Sequence, residues 1–314
     1  MQQTLFSILP LFLLIALGYF AKRTAVLDIR MLPGLNQYVF YFAIPALLFT
    51  SASKQSISEL LYAPGLIAFA VGCVITGAIC CLVCFYYFKS KNAISLVLRY
   101  LNVNFANVAY MGIPISFTVL GESANAATIG IVLASNIFVV CGSQLLIELL
   151  KGDGMSLRSI LGTLNRATVR NPLFMSVMFG IAASVLHIKL PETINITLEM
   201  VAATTIPVAL FCLGASFELK RTETNVSEIF WVVFCKLFIH PAVMWGVFAA
   251  FGMQGEQWLV VAVLLNALPT GTLAHVLAMR YGAFEVQSSQ IIVYSTTLSL
   301  VTLLFWTQLL GIGG

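Results

Sequence analysis

The chain has 314 residues, of which 60% are hydrophobic and only 9% carry a charged side chain. A soluble domain has about 25% charged residues, so this composition excludes a soluble enzyme and predicts an integral membrane protein. The formal net charge of +4 is small. It gives no reason to expect a nucleic-acid partner, and the positions of the basic residues carry more information than their sum.

Ten apolar stretches are each long enough to cross a hydrocarbon core of about 30 Å, which takes about 20 helical residues. The first begins at Thr4, and no Lys or Arg precedes it, so we expect a membrane helix and not a cleaved signal peptide. The chain is therefore predicted to be an all-α integral membrane protein. The expected spans are roughly 4–21, 36–53, 63–88, 96–120, 124–149, 171–187, 197–218, 227–252, 257–280 and 286–311.

The basic residues of the predicted loops are distributed unevenly. Of the 16 Lys and Arg residues, twelve lie in odd-numbered loops, Lys54 and Lys189 lie in even-numbered loops, and Arg99 and Lys236 lie within spans. Cytoplasmic loops carry the excess of Lys and Arg. The odd-numbered loops are therefore predicted to be cytoplasmic, and both termini to face outward.

The two halves of the sequence contain similar motifs in the same order. Residues 43–49 of the second span read Ala-Ile-Pro-Ala-Leu-Leu-Phe, and residues 205–211 of the seventh read Thr-Ile-Pro-Val-Ala-Leu-Phe. Because each half has five spans, the second half enters the membrane from the opposite side. We therefore predict two inverted five-helix repeats, residues 1–150 and 171–314, joined by a cytoplasmic loop at 151–170. Such repeats support alternating access around a site near the bilayer midplane.

The fourth and ninth spans each contain a proline that is expected to break the helix. Pro114 and Pro269 each remove a backbone donor and crowd the preceding turn, and each suits the first position of a following half-helix. Gly112 and Gly271 allow close backbone approach beside these breaks. The start of a half-helix presents free N–H groups and the positive end of a dipole. Two such starts near the midplane would attract a carboxylate.

Asparagines near the breaks are candidate substrate contacts. Asn104 and Asn107 are one turn apart and would share a face of the fourth helix. Asn266 precedes Pro269, and Asn136 makes the fifth span more polar. Their amides either donate hydrogen bonds to a carboxylate or hold neighbouring helices together.

Two basic residues are candidates for ion coupling or charge balance. Lys236 lies inside the eighth span, four residues before His240, and an ionisable residue within a membrane helix is a functional candidate. It would stabilise freed carbonyls, neutralise an anion or extend to the cytoplasmic surface. His275 follows Pro269 and either carries a proton or is structural. No Asp or Glu lies well inside a predicted span, so proton coupling, sodium coupling and uniport all stay open. The cysteine and histidine spacings predict no metal site and no cofactor.

These motifs resemble those of the auxin efflux carrier family, which contains plant auxin exporters and bacterial permeases of small carboxylates. The resemblance includes Leu17-Gly18-Tyr19 and residues 42–49, 107–114 and 267–271, and so covers almost the whole chain. It implies that the broken fourth and ninth helices cross near the membrane centre, with Pro114 and Pro269 matching the crossover prolines and Asn107 the substrate-facing asparagine. It also implies a scaffold of helices 1, 2, 6 and 7 that forms a homodimer surface.

The sequence therefore predicts a secondary transporter of small organic anions, mono- or dicarboxylates, in the bacterial cytoplasmic membrane. One alternative is a sodium-coupled organic anion symporter of the bile-acid type, which shares the crossover plan. Another is a membrane sensor that binds a ligand without transporting it. An intramembrane enzyme is not expected, since the sequence has no His-Glu-x-x-His or Gly-x-Ser-x-Gly motif and no paired aspartates at membrane depth.

Overall fold

The computed structural model describes residues 2–151, 161–165, 168–216 and 225–312, and their side chains from residue 9 onward. Over these residues the chain is helical, with one isolated antiparallel β-bridge. Most of the predicted connecting loop 151–170 lies outside the described residues. The helices in chain order are α1 (Gln2–Arg23), α2 (Ile29–Ala52), α3 (Ile57–Tyr86), α4 (Ala93–Asn104), α5 (Val108–Leu120), α6 (Glu122–Lys151), α7 (Pro172–Val185), α8 (Glu192–Ala215), α9 (Val226–Ala250), α10 (Gln257–Asn266), α11 (Leu273–Tyr281) and α12 (Glu285–Leu309).

Six of these helices are long and apolar enough to cross a membrane, namely α2, α3, α6, α8, α9 and α12. The helices α5, α7 and α10 are shorter and also apolar. The predicted all-helical class is confirmed over the described residues. The predicted fourth and ninth spans are each divided in two, the fourth into α4 and α5 and the ninth into α10 and α11.

Three of the helices contain a widened π turn shortly before a proline. Proline lacks an N–H group, and its ring clashes with the carbonyl four residues earlier. A π turn accepts hydrogen bonds from five residues ahead, so it accommodates both defects and the helix continues. The π turns are Val39–Ala43, Val108–Gly112 and Cys235–Ile239, and the prolines that follow them are Pro45, Pro114 and Pro241.

The helices pack in two groups. The first helix group consists of α1, α2, α7 and α8, and the second consists of α3 to α6 with α9 to α12. Within the first group α1 and α8 approach very closely, because a Cβ atom on Gly18 would overlap the carbonyl of Phe211 and one on Gly214 would overlap that of Ile15. Small residues allow this approach between membrane helices. The two groups meet where α5 contacts α1 and α8, where α12 contacts α1, and where α6 contacts α2.

Candidate functional site

The two broken segments meet and are joined by backbone hydrogen bonds, at a place that we call the crossing. The N–H of Asn107 donates to the carbonyl of Pro269 at 2.8 Å, and the N–H of Gly271 donates to the carbonyl of Phe105 at 2.9 Å. The isolated β-bridge lies between these two bonds. Each unwound segment therefore satisfies backbone groups of the other, as membrane-buried non-helical backbone requires.

The breaks differ in position from the sequence prediction. Pro114 begins the α-helical part of α5, but the π turn extends the helix back to Val108, so the break precedes it at residues 105–107. Pro269 lies within the other break, at residues 267–272, and α11 begins only at Leu273. The prediction that each proline suits the first position of a half-helix is therefore wrong for Pro269, whereas Pro114 lies in the first turn of the α-helical part of α5. The physical reason is that the β-bridge pairing, and not proline alone, unwinds the backbone.

Four asparagines in the helices bond to their own helix. Each donates from Nδ2 to the carbonyl four residues earlier, which removes one amide donor from any other role. The bonds run from Asn102 to Leu98 (2.8 Å), from Asn104 to Tyr100 (3.1 Å), from Asn136 to Val132 (2.9 Å) and from Asn266 to Ala262 (2.7 Å).

Asn107 differs from these four. Its side chain is only 4% exposed, and Nδ2 has no hydrogen-bond partner among the described residues. Because Asn107 stands in the unwound segment, no helical carbonyl four residues earlier is available to it. A buried donor without a partner costs about 1–3 kcal/mol. Asn107 is therefore a place where an acceptor atom of a ligand would gain a hydrogen bond.

Backbone donors lie beside this amide at the start of α5. The N–H groups of Met111 and Gly112 both donate to the carbonyl of Asn107 at 3.1 Å. Among the described residues, the N–H groups of Ala109 and Tyr110 make no hydrogen bond. They are the free donors of a helix start, at the positive end of the helix dipole. Asn107, Ala109 and Tyr110 together form what we call the crossover donors.

The glycines at the crossing are required by close contacts. A Cβ atom on Gly271 would lie 2.6 Å from the ring of Phe105 and 3.0 Å from the carbonyl of Ala106. A Cβ atom on Gly112 would lie 3.0 Å from Leu265 of α10. Gly271 therefore lies against the backbone of the other broken segment, whereas Gly112 lies against side chains.

Replacing Gly271 with alanine is expected to lower the free energy of unfolding by about 1–3 kcal/mol, the usual effect of overpacking a close contact. The melting temperature of the detergent-purified protein measures this. Gly246→Ala in α9 is the matched control, because a Cβ atom there would meet nothing within 4 Å. Equal melting temperatures for the two variants would show that the crossing tolerates a side chain at Gly271.

Lys236 contacts the end of α10 and does not extend to the surface. Its side chain is fully buried, and Nζ donates to the carbonyl of Asn266 at 3.1 Å and lies 3.3 Å from Nδ1 of His240. Asn266 is the last residue of α10, so its carbonyl belongs to the negative end of that helix dipole. Among the described residues no carboxylate forms an ion pair with Lys236. The sequence left several roles open for Lys236. The observed contact with the carbonyl of Asn266 fits the stabilisation of freed backbone carbonyls.

The hydrogen bonds of three other predicted residues do not involve the crossover donors. Nδ1 of His275 is 3.1 Å from the carbonyl of Glu285, a contact between α11 and the start of α12. Asn136 is half-buried in the π turn of α6. Asn104 lies against α3, where a Cβ atom on Gly77 would be 3.1 Å from its Nδ2. The prediction that Asn104 and Asn107 share a helical face was wrong, because the helix ends at Asn104.

A buried ion pair, which the sequence motifs do not indicate, joins α4 to α9. Arg99 of α4 and Glu228 of α9 are 5% and 8% exposed, with Nη2 of Arg99 2.6 Å from Oε1 of Glu228. The guanidinium also lies over the ring of Phe284, 4.2 Å from its centroid. The position of Arg99 inside a predicted span was a usable signal, but nothing in the sequence identified its distant partner.

A polar chain on the α12 side of the crossing was also missed. The hydroxyl of Thr270 donates to the carbonyl of Asn102 at 2.8 Å, and its N–H donates to the hydroxyl of Ser295 at 3.2 Å. The hydroxyl of Ser288 donates to Oδ1 of Asn102 at 2.9 Å. Ser288 and Ser295 lie two helical turns apart on one face of α12. This helix therefore holds both broken segments in place.

Helices long and apolar enough to cross a membrane, together with two paired, unwound segments, are features of membrane transporters. Residues 4–307 match the family described as membrane transport protein. The chain belongs to this family, and it is an integral membrane transporter.

Several named proteins are similar to this chain. A protein of Rhizobium meliloti named "Putative malonate transporter" is 26% identical over 295 residues, covering 94% of this chain and 92% of that protein. An uncharacterized transporter of Methanothermobacter thermautotrophicus is 27% identical over 312 residues, covering 97% of each chain. Auxin efflux carrier component 3a of Oryza sativa subsp. japonica is 27% identical over 161 residues, covering 49% of this chain and 26% of that protein. The resemblance to auxin efflux carriers is thus confirmed.

Proposed function

We propose that this transporter carries small organic anions, with mono- or dicarboxylates as its substrates, and binds them at the helix crossing. The observation that carries the proposal is the unpaired amide of Asn107 beside the free N–H groups of Ala109 and Tyr110. The name of the Rhizobium meliloti relative supports the choice of substrate class.

The chemistry of this site suits a carboxylate. A carboxylate is an acceptor with two oxygens, and hydrogen bonds to a charged group are about twice as strong as neutral ones. The crossover donors can supply several such bonds, strengthened by the positive end of α5. Because these donors carry no full charge, the empty site avoids the cost of an unpaired ion at membrane depth.

The remaining predicted site residues have supporting roles in this proposal. Gly112, Pro114, Pro269 and Gly271 set the path of the backbone through the crossing. Asn104, Asn136 and Asn266 are secondary candidates for substrate contact, since one donor of each amide is already bonded within its own helix.

The proposed architecture is ten membrane spans in two inverted repeats, residues 1–150 and 171–314. The fourth span consists of α4 and α5, and the ninth consists of α10 and α11. The separate packing of the two helix groups supports movement of the second group, with the crossing, along the first. On this proposal the first group also forms a homodimer surface. The bilayer is the bacterial cytoplasmic membrane, and both termini face outward, as the basic loop residues indicate.

Uptake into proteoliposomes tests the proposed function. We expect saturable uptake of at least one of labelled malonate, malate and lactate, with unlabelled substrate competing and protein-free liposomes as the control. Imposed proton or sodium gradients would identify the driving ion. If protein that is shown to be folded takes up none of these anions, the substrate class is wrong.

A further inference from the structure

The most unusual buried group outside the crossover donors is the side chain of Lys236. It is fully enclosed, and its Nζ donates to the carbonyl of Asn266. That carbonyl ends α10, where the helix unwinds toward the crossing. Carbonyls at the ends of unwound half-helices are the groups that coordinate coupling sodium ions in secondary transporters. In this chain one of them, the carbonyl of Asn266, accepts a hydrogen bond from a lysine of the protein itself.

We propose that the ammonium group of Lys236 occupies the position of a coupling cation, so that the crossing is held together by a tethered charge and binds no sodium ion there. The inference concerns cation binding at the same crossing. Only what the inference implies for transport rests on the proposed function.

The surroundings of Lys236 support this inference. The carbonyl of Asn266 lies 3.1 Å from Nζ, and Nδ1 of His240 lies 3.3 Å away on the next turn of α9. Both groups accept a hydrogen bond, the second when His240 is in the tautomer with Nδ1 unprotonated. The ion pairs of the described residues involve Arg30 and Arg99 and not Lys236, so the carbonyl end of α10 is the group that balances the charge of this lysine.

The position of Lys236 also explains why the two halves of the crossing stay together. Lys236 and His240 belong to α9, whereas Asn266 belongs to α10, which unwinds into the segment that pairs with Asn107. A charge on α9 that attracts the end of α10 fixes the place where the unwound segment begins. Without that charge, the carbonyl end would accept a small cation from solution.

Thermal unfolding in different salts tests this directly, with no substrate needed. The purified protein is melted in sodium chloride, methylammonium chloride and choline chloride of equal concentration. We expect the wild type to melt at the same temperature in all three. We expect Lys236→Ala, which opens space for a small cation, to melt about 2–4 °C higher in methylammonium than in choline, because a ligand bound only to the folded state raises its stability.

Two further variants serve as controls. Lys236→Met fills the space of the lysine without its charge and should not respond to methylammonium. Lys236→Arg keeps the charge and should behave as the wild type. If Lys236→Ala is recovered folded only when methylammonium is present, that also supports the proposal.

Two results would overturn the inference. One is a wild type that melts at a higher temperature in sodium chloride than in choline chloride. The other is a folded Lys236→Ala variant whose melting temperature rises in neither sodium chloride nor methylammonium chloride. Failure of the proposed function is distinguished from these results, because it appears as absent anion uptake by the wild type and leaves the melting temperatures unaffected.

Discussion

Replacing Asn107 with alanine is expected to reduce the affinity for the carboxylate substrate about 10- to 100-fold. A hydrogen bond to a charged group contributes about 1.5–3 kcal/mol, and 1.4 kcal/mol corresponds to a factor of ten. The side chain of Asn107 makes no hydrogen bond to any described residue, so its removal leaves no protein group unpaired. We therefore expect the melting temperature of the variant to stay close to that of the wild type.

Concentration-dependent uptake into proteoliposomes measures this effect as a rise in KM. Asn195→Ala is the matched control, because Asn195 is an exposed asparagine of α8 outside the crossing. It should transport normally. An Asn107→Ala variant with an unchanged KM would remove Asn107 from the binding site, whereas a large loss of stability would show a structural role.

Replacing Glu228 with glutamine is expected to lower the free energy of unfolding by about 3–5 kcal/mol, because it leaves the buried guanidinium of Arg99 without a counter-charge. Arg99 already has one buried nitrogen, Nη1, without a hydrogen-bond partner among the described residues. The loss of its carboxylate partner would therefore not be compensated by existing contacts. The pair joins α4 to α9. The variant should therefore weaken the packing of α4, the helix that leads into the crossing, against α9.

The melting temperature of the purified variant is the measurement, with Glu199→Gln on the exposed surface of α8 as the control. The double variant Arg99→Leu and Glu228→Leu adds a sharper comparison. Because apolar residues often replace a buried pair with little loss, the double variant should be more stable than Glu228→Gln alone. The reverse order of stability would mean that the pair contributes more than charge balance.

The helical class and the two interrupted helices could be predicted from the sequence, because both depend on local properties. Apolar runs set the long helices, and the motifs around Pro114 and Pro269 marked the broken ones. The location of the breaks could not be predicted, because it depends on pairing between residues far apart in the chain. Asn107 bonds to Pro269 across the crossing, whereas Pro114 is accommodated by a π turn in its own helix.

The different roles of the asparagines could not be predicted from the sequence either. Asn104, Asn107 and Asn266 all stand near a break, and residue type alone does not distinguish them. The backbone conformation distinguishes them. An asparagine inside a helix can donate a hydrogen bond to the carbonyl four residues earlier, whereas an asparagine in an unwound segment cannot. The contact of Lys236 with Asn266 likewise depends on how α9 packs against α10.

The most direct test of the proposed site is a structure of the protein, by electron cryomicroscopy, with the best transported anion at saturating concentration. We expect density for the anion within hydrogen-bond distance of Nδ2 of Asn107 and of the N–H groups of Ala109 and Tyr110. Anion density at another place, with these three donors still free of ligand, would contradict it.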